Sequence, residues 1–438
     1  MNKERYVAAV EVSSSKIMAV VGKVSDDGQV AVIATEQERG VEGVRYGIVQ
    51  NLEETAMRIA CILEKLQRKP AVAPRQITSV FVGLSGRSLH SISTKVSQTL
   101  PHEMEITQDI LDRLYQQAKA TDIDASLCVV DAIPRTYTIG KYETQSPKGT
   151  IGNDIRAVYD LIVCRPEMQR NLTRTLSEKT AVDIKGFIVT ALSTAQIILS
   201  SEEKRQGCML VDMGAETTTV SIYKNGHLAY FATLPMGGRN ITRDITSLGV
   251  LEEKAEEIKV TSGNAIALES QTSLNLGGLK MSEVSGIIVA RAEEIVANII
   301  EQISYAGLKE SDLPGGLICI GGASKLNGII DLLANKTGLP VRRGQLPPYI
   351  VMQDSRIPVS DAIQAVSILY AGATNSTDEC LEIPVTEDLP IDGTANEEVQ
   401  TPQKPAGPRR TTPGWLARIG DKLSNVFSGD SEDDSDLL

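Results

Sequence analysis

A pattern of three strands that occurs twice, about 200 residues apart, constrains the fold of this chain more than any other feature of its sequence. In the first copy an apolar strand carries Glu11 near its end, and the small polar segment 13–16 follows directly. The dipeptide Asp27-Gly28 then predicts a hairpin, because it favours the tightest connection between two strands. The predicted strands of this copy are residues 6–12, 17–24 and 29–34.

The second copy has the same order of strand, acid, small loop, strand, turn and strand. Asp212 follows its first strand, a loop of small residues comes next, and Asn225-Gly226 supplies the hairpin turn. Two unrelated hairpins are the alternative, since such turns are common, but the matched order favours a duplicated unit. Helical patterns between the strands make this an α/β fold, with strands of the second copy at residues 208–211, 218–223 and 227–234.

Each copy places a carboxylate at a strand end beside a small loop, and the backbone N–H groups of such loops can bind phosphate oxygens. Two such loops facing each other across a cleft would bind a polyphosphate from both sides. Glu11 and Asp212 would then hold hydrated Mg²⁺, which prefers one or two carboxylates with water and phosphate oxygens. Lys16 would neutralise phosphate charge. The chain contains neither GxxxxGKS/T nor GxGxxG, which excludes P-loop and Rossmann sites.

A third element fits the same cleft. Residues 317–320 predict a buried strand, and Gly321-Gly322 follow it directly. A glycine pair at this place permits the close approach of a flat group such as a purine, because no side chain stands in the way. Ordinary turn chemistry explains the same pair equally well.

With these three loops in this order, the sequence resembles the superfamily of actin, sugar kinases and heat-shock chaperone ATPases, and within it the FtsA family of bacterial cell-division proteins. The resemblance implies an actin-like fold of two duplicated halves around a nucleotide cleft, with ATP and Mg²⁺ as cofactors. The residues that carry the closer match are Glu11 with Lys16, Ser85-Gly86, Ile133-Pro134 with Tyr137, Asp212 with Gly214 and Thr217, Gly237-Gly238, Ile241-Thr242, Asp244-Ile245, Ala255-Glu256, Ile258-Lys259, Arg291 and Gly321-Gly322-Ala323.

The resemblance also implies which residues contact the nucleotide. They are Ser13, Ser14, Ser15 and Lys16 in the first loop, Gly214, Ala215, Glu216, Thr217 and Thr218 in the second, Glu256 and Lys259 on a helix, and Gly321, Gly322, Ala323 and Lys325 in the third loop. The pattern around Glu256 and Lys259 is by itself typical of a solvated helix face, and only the resemblance places them near the ribose or base.

Two places depart from the family pattern. Ser13 stands where glycine is usual, and Ala215-Glu216 replace part of a glycine run, which restricts the backbone. The Glu216 charge beside bound phosphates would cost about 4 kcal/mol at about 4 Å and an effective dielectric near 20, unless the side chain turns away. We therefore expect ATP binding with at most weak hydrolysis.

Residues 86–165 exceed what the two-hairpin plan needs, and they mix strands with a helix that starts after Thr107. They suffice for a small α/β subdomain. A structural insertion without a separate role is one interpretation, whereas the resemblance implies polymer contacts and binding of later division proteins. The expected segments are 1–85, first half; 86–165, insertion; 166–206, first half continued and connection; 207–374, second half; 375–410, linker; 411–428, amphipathic helix; and 429–438, acidic tail.

Composition excludes several classes of protein. The six cysteines are scattered and only three histidines occur, which argues against a zinc site, a disulfide framework and a histidine-based catalytic centre, and for a reducing cytoplasm. The net charge of −12 disfavours nucleic acid as a partner. No apolar run reaches the about 18 residues of a membrane span, and the charged start leads into a strand without a secretory signal.

The C-terminal part has a different composition from the rest. Residues 375–438 hold 14 acidic and 5 basic residues, and prolines and polar residues through about residue 410 predict a disordered linker. An apolar stripe of helical period follows, flanked by Arg418 and Lys422, which predicts an amphipathic helix on anionic lipid. Docking of this helix on the body is the alternative, and the acidic residues 430–436 would weaken lipid binding. The stripe consists of Trp415, Leu416, Ile419, Leu423, Val426 and Phe427.

The resemblance implies a scaffold that binds ATP and polymerises on the cytoplasmic face of the inner membrane at the division site. Such a peripheral protein would tether filaments of the tubulin-like protein FtsZ through the FtsZ C-terminal peptide and recruit later division proteins. The alternatives are an actin-like ATPase of pilus assembly and a kinase of the same superfamily. A kinase needs a carboxylate base against its substrate hydroxyl, and the sequence offers none beyond those assigned to Mg²⁺.

Overall fold

The computed structural model of the chain describes residues 4–25, 28–267, 275–276 and 279–384. The predicted amphipathic helix, the acidic tail and most of the predicted linker lie outside the described residues. No helix of the described ranges is long and apolar enough to cross a membrane.

The first half is built on a sheet whose central strand, β1, ends beside Glu11. Strands β1, β2 and β3 are antiparallel neighbours, while β7 runs parallel to β1 and β12 parallel to β7. The elements of this half are β1 Arg5–Val12, β2 Lys16–Val24, β3 Val30–Arg39, β4 Val44–Arg45, β5 Ile48–Val49, α1 Leu52–Gln67, β6 Gln76–Ile77, β7 Ser79–Leu84 and, after an insertion, α3 Pro166–Thr173, β12 Asp183–Val189, α4 Thr190–Ile198 and α5 Ser201–Gln206.

The second half repeats this plan. Its strands have the order β15-β14-β13-β18-β19, which corresponds to β3-β2-β1-β7-β12 of the first half. The two sets agree in the order of the strands along the chain and in the direction of every neighbouring pair. The predicted duplication is therefore confirmed. The elements are β13 Cys208–Met213, β14 Thr218–Lys224, β15 His227–Leu234, α6 Gly238–Thr246, α7 Glu252–Ser262, β16 Asn275–Leu276, β17 Leu279–Lys280, α8 Met281–Tyr305, β18 Leu317–Ile320, α9 Ile329–Thr337 and β19 Val341–Arg343.

The hairpin turn of the second half has the backbone that its sequence predicts. Asn225 has φ 55° and Gly226 has φ 86°, so both lie in the left-handed region that a two-residue turn between twisted strands requires. Lys224 and His227 pair on either side of it. The two-residue turn predicted at Asp27-Gly28 is wrong, because the Ser25 N–H donates to the Gln29 oxygen at 3.0 Å and three residues, 26–28, connect this pair. Asp27 lies outside the described residues, and Gly28 has φ 80°.

The insertion between β7 and α3 has a hydrophobic core of its own, separate from those of the two halves. Its strands also continue the sheet of the second half, because β8 pairs with β15 at His90 and Ala232 and gives nine strands in all. The Ser91 hydroxyl accepts a hydrogen bond from the Phe231 N–H at 3.2 Å. The elements are β8 His90–Glu105, α2 Gln108–Lys119, β9 Cys128–Ile139, β10 Tyr142–Thr144 and β11 Ile151–Cys164.

The chain returns to the first half after β19, which the sequence does not reveal. Strand β20, Ile350–Met352, pairs parallel with β3, and helix α10, Val359–Asn375, packs on β1, β2 and β7. Residues 350–374 were expected in the second half. They lie on the first because residues 362–369 of α10 are buried on every side and glycines of the first sheet accept the helix closely. Strand β21, Leu381–Glu382, pairs with β6.

We expect Leu369→Ala to lower the free energy of unfolding by about 2–5 kcal/mol, because the side chain is fully buried and its removal leaves a cavity. Its Cδ2 atom lies 2.5 Å from the position that a Cβ on Gly22 would take. Urea denaturation measures the change. Val359→Ala on the same helix is the control, since that side chain is 43% exposed and its loss should change stability by no more than about 0.5 kcal/mol. Equal effects of the two variants would contradict this packing.

Candidate functional site

Two carboxylates occupy equivalent positions in the two halves. Glu11 is the last residue but one of β1, and Asp212 is the last residue but one of β13. Burial raises the pKa of Glu11 above its ordinary value. Burial also raises the pKa of Asp212 to about 6; a hydrogen bond from Gln364 opposes the rise, and the charge of Glu11 adds to it. Two carboxylates that interact away from water favour a cation between or beside them.

Lys16 supplies one positive charge at this place. Its Nζ atom lies 3.5 Å from Glu11 Oε2 and donates a hydrogen bond to the backbone oxygen of Asp361. The Oε2 atom of Glu11 is buried, and among the described residues its partner is this ammonium group of Lys16. An under-satisfied carboxylate oxygen suits a metal ion or one of its water ligands. Within the described residues, no group of three or more His, Cys, Asp or Glu could hold a metal ion.

The first loop, residues 13–16, is held by hydrogen bonds to the backbone. Ser13 donates from its N–H and its hydroxyl to the Lys16 oxygen, at 3.0 and 2.8 Å. The Ser14 hydroxyl accepts from the Gly47 N–H at 3.0 Å, and Ser15 is exposed. Ser13 does not adopt a left-handed backbone, so the residue that departs from the family pattern carries no such strain.

The second loop, residues 214–218, rests on the start of α6. The Gly214 N–H donates to the Thr217 oxygen at 2.8 Å, and the Gly238 N–H donates to the Gly214 oxygen at 2.9 Å. A Cβ on Gly237 would lie 2.5 Å from that same oxygen, so this approach requires glycine. The hydroxyl of Thr218 donates to the Met236 oxygen at 2.9 Å.

The third loop, residues 321–325, meets the second. Gly321 has φ +87°, and a Cβ there would lie 2.6 Å from Asp212 Oδ1. A Cβ on Gly238 would lie 3.1 Å from the Ala323 side chain, whereas a Cβ on Gly322 would meet nothing within 4 Å. The structure therefore brings the three loops together around Asp212, with open space beside Gly322.

Lys259 belongs to the same cluster and does not lie on a solvated helix face. Its Nζ atom donates to the Gly238 oxygen at 3.1 Å, to the Thr242 hydroxyl at 2.9 Å and to Glu256 Oε2 at 2.6 Å. Burial lowers the pKa of Lys259, although Glu256 opposes the change. The Glu256 side chain is 49% exposed and the Lys259 side chain only 13%. Glu256 thus lies at the edge of the cluster.

Helix α10 contributes two side chains that the sequence analysis missed. Gln364 Nε2 donates to both carboxylate oxygens of Asp212, at 3.1 and 3.3 Å. Asp361 accepts hydrogen bonds from Lys325 and, at 3.1 Å, from Arg39. Burial alone would raise the pKa of Asp361, but the hydrogen bond from Lys325 and the charges around it lower the pKa instead. The available signal was weak: Asp361 and Gln364 are three positions apart on a helix that also carries other polar residues, such as Ser360 and Ser367.

The Glu216 carboxylate faces arginine side chains. Its side chain is 1% exposed, and Oε1 accepts from Arg45 Nε at 2.8 Å, Arg239 Nη1 at 3.2 Å and Arg243 Nη2 at 3.1 Å. Burial would raise the pKa of Glu216, but a hydrogen bond from the Tyr46 N–H and the arginine charges lower it. The free-energy cost expected for Glu216 beside phosphate assumed an unpaired carboxylate. The carboxylate instead accepts hydrogen bonds from four donors.

The comparisons with known proteins agree with this architecture. A family model described as "Cell division protein FtsA" matches residues 209–366, and one described as "SHS2 domain inserted in FTSA" matches residues 86–163. Cell division protein FtsA of Porphyromonas gingivalis is 31% identical over 369 residues, covering 82% of this chain and 75% of the relative. Cell division protein FtsA of Bacillus subtilis is 27% identical over 367 residues, covering 81% of each.

Among solved structures, the PilM-PilN type IV pilus biogenesis complex aligns with a TM-score of 0.60 at 16% identity, covering 84% of this chain and 98% of that chain. At this identity the likeness concerns the fold alone. The duplicated halves, the inserted subdomain and the similarity over most of the chain lead to one assignment: the chain belongs to the FtsA family of cell-division proteins and has its actin-like fold.

Proposed function

We propose that this chain binds Mg²⁺-ATP in the cleft between its two halves and acts as an actin-like scaffold of cell division. The observation that carries the proposal is the pair of equivalent carboxylates, Glu11 and Asp212, beside two small loops in a member of the FtsA family. Family membership favours cell division over pilus assembly. No contact in the cleft favours a kinase.

Each part of the cleft has a distinct role in this proposal. Glu11 and Asp212 hold hydrated Mg²⁺, which when bound supplies positive charge to the phosphates. Lys16 meets the phosphates as a point charge, and the backbone N–H groups of residues 13–16 and 214–218 bind their oxygens. The third loop, with Lys259, lies on the adenosine side. Since both buried carboxylates of the cleft, Glu11 and Asp212, are assigned to Mg²⁺, we assign no catalytic base and expect at most weak ATPase activity.

The scaffold function extends beyond nucleotide binding. We infer self-association into filaments, binding of the FtsZ C-terminal peptide and recruitment of later division proteins, all as a peripheral protein on the cytoplasmic face of the inner membrane at the division site. The family supports this role. Within the insertion, Tyr142 and Ile151 expose 62% and 66% of their surface, which makes them suitable positions at which to test a contact role.

Asp212→Ala and Lys16→Ala should each weaken binding of Mg²⁺-ATP about tenfold or more, because each removes a charged partner of the bound group. Isothermal titration calorimetry measures the affinity. Lys254→Ala is the control, since this lysine pairs with Glu257 on the exposed face of α7 and should leave affinity unchanged. Unchanged affinity in both cleft variants would show that the nucleotide binds elsewhere.

The double variant Tyr142→Lys with Ile151→Lys should reduce polymer formation while leaving nucleotide affinity within several-fold of the parent. The substitutions replace apolar surface on the insertion by charge. Both positions are far along the chain from the cleft residues, and the strands that carry them are separated from β13 by other strands of the sheet. Pelleting assays and calorimetry supply the two readouts. Loss of nucleotide binding in the folded variant, or normal polymers, would argue against a contact role for the insertion.

Residues 411–428 lie outside the described residues, and we propose that they form the membrane-binding helix. Trp415→Ala with Phe427→Ala should release the protein from anionic vesicles, because each large apolar side chain contributes about 1.5–3 kcal/mol when buried. In the parent, fluorescence of Trp415, the one tryptophan of the chain, should shift to the blue on binding. Ser428→Ala, on the opposite face of the predicted helix, is the control. A parent that neither shifts nor pellets with any bilayer has no such helix.

A further inference from the structure

The Glu216 carboxylate joins the two halves of the molecule. Its donors from the first half are Arg45 Nε at 2.8 Å and the Tyr46 N–H at 2.7 Å, both in the short β4–β5 hairpin. Its donors from the second half are Arg239 and Arg243 on α6, at 3.2 and 3.1 Å. Four donors from two halves therefore converge on one buried carboxylate.

The same cluster reaches both phosphate loops. Glu216 belongs to the second loop, and Arg239 Nη2 also donates to the Ser14 oxygen of the first loop at 3.2 Å. The Ser14 hydroxyl in turn accepts from the Gly47 N–H, next to Tyr46. A movement that separates the two loops would break these bonds together.

Removing one partner of a buried ion pair is costly because the other charge stays buried without compensation. The bonds from Arg45 and Tyr46 to Glu216 can form only while the halves are close, so they favour the closed cleft. Two other contacts also cross the cleft, Gln364 to Asp212 and Lys325 to Asp361. Loss of Glu216 should therefore loosen the halves without separating them.

We propose that Glu216 and Arg45 form a latch between the two halves that slows release of nucleotide from the cleft. This inference rests on the proposed nucleotide binding and assigns Glu216 a role that differs from phosphate contact. Glu216 is a positioning residue here, since it acts through the arginines and the β4–β5 hairpin.

Glu216→Gln and Arg45→Gln should each speed dissociation of a fluorescent ATP analogue about tenfold, as expected for the loss of one charged hydrogen bond across the cleft. Stopped-flow displacement with excess ATP and Mg²⁺ measures the rate. The association rate should change less, and the double variant should resemble the single variants because both remove the same contact. Glu202→Gln is the control, since Glu202 pairs with Arg205 within the same helix, α5.

If Glu216→Gln folds poorly, Arg45→Gln still tests the latch. The Arg45 side chain is 44% exposed, so its replacement should leave the fold intact. Hydrogen–deuterium exchange without nucleotide gives a second readout: residues 44–49 should exchange faster in both variants and not in Glu202→Gln. Unchanged exchange together with unchanged dissociation would overturn the latch. A parent that binds no nucleotide would instead overturn the proposed function, and the exchange result would still report whether Glu216 joins the halves.

Discussion

Burial of two acidic side chains at the ends of equivalent strands is the constraint on which the rest of the cleft depends. Glu11 and Asp212 lie at the same position of two sheets with the same strand order, and burial raises the pKa of both. The surrounding elements place contacts beside these two carboxylates. Lys16 approaches Glu11, Gln364 bonds to Asp212, and Gly321 lets the third loop reach Asp212 without a side chain in between. A bound cation would offset the negative charge of Glu11 and Asp212 that these contacts leave unbalanced.

Shared carboxylates hold the basic residues of the cleft in place. Asp361 pairs with both Lys325 and Arg39, and Glu216 pairs with three arginines, so each cluster keeps a net positive charge in a defined geometry before any ligand binds. Preorganised positive charge of this kind favours an anionic ligand, because the cations need not be gathered when the ligand binds.

The sequence predicted the parts of the fold that local chemistry determines. The two hairpins, the strand before Gly321 and the carboxylates at strand ends follow from turn residues and alternation. The packing of α10 on the first sheet was not predicted, because a helix that is buried on all sides has no single apolar face to indicate its partner. The pairing of β8 with β15 and the bond from Arg45 to Glu216 join residues more than 100 positions apart in the chain, which no local pattern reports.

The most direct test of the account is a crystal structure of the chain with Mg²⁺ and a non-hydrolysable ATP analogue. The account predicts phosphates between residues 13–16 and 214–218, Mg²⁺ within one water of Glu11 and Asp212, and the base beside Gly322. It also predicts that the Glu216 carboxylate keeps its arginine partners and does not touch the phosphates. A nucleotide bound outside this cleft, or Mg²⁺ remote from both carboxylates, would contradict the account.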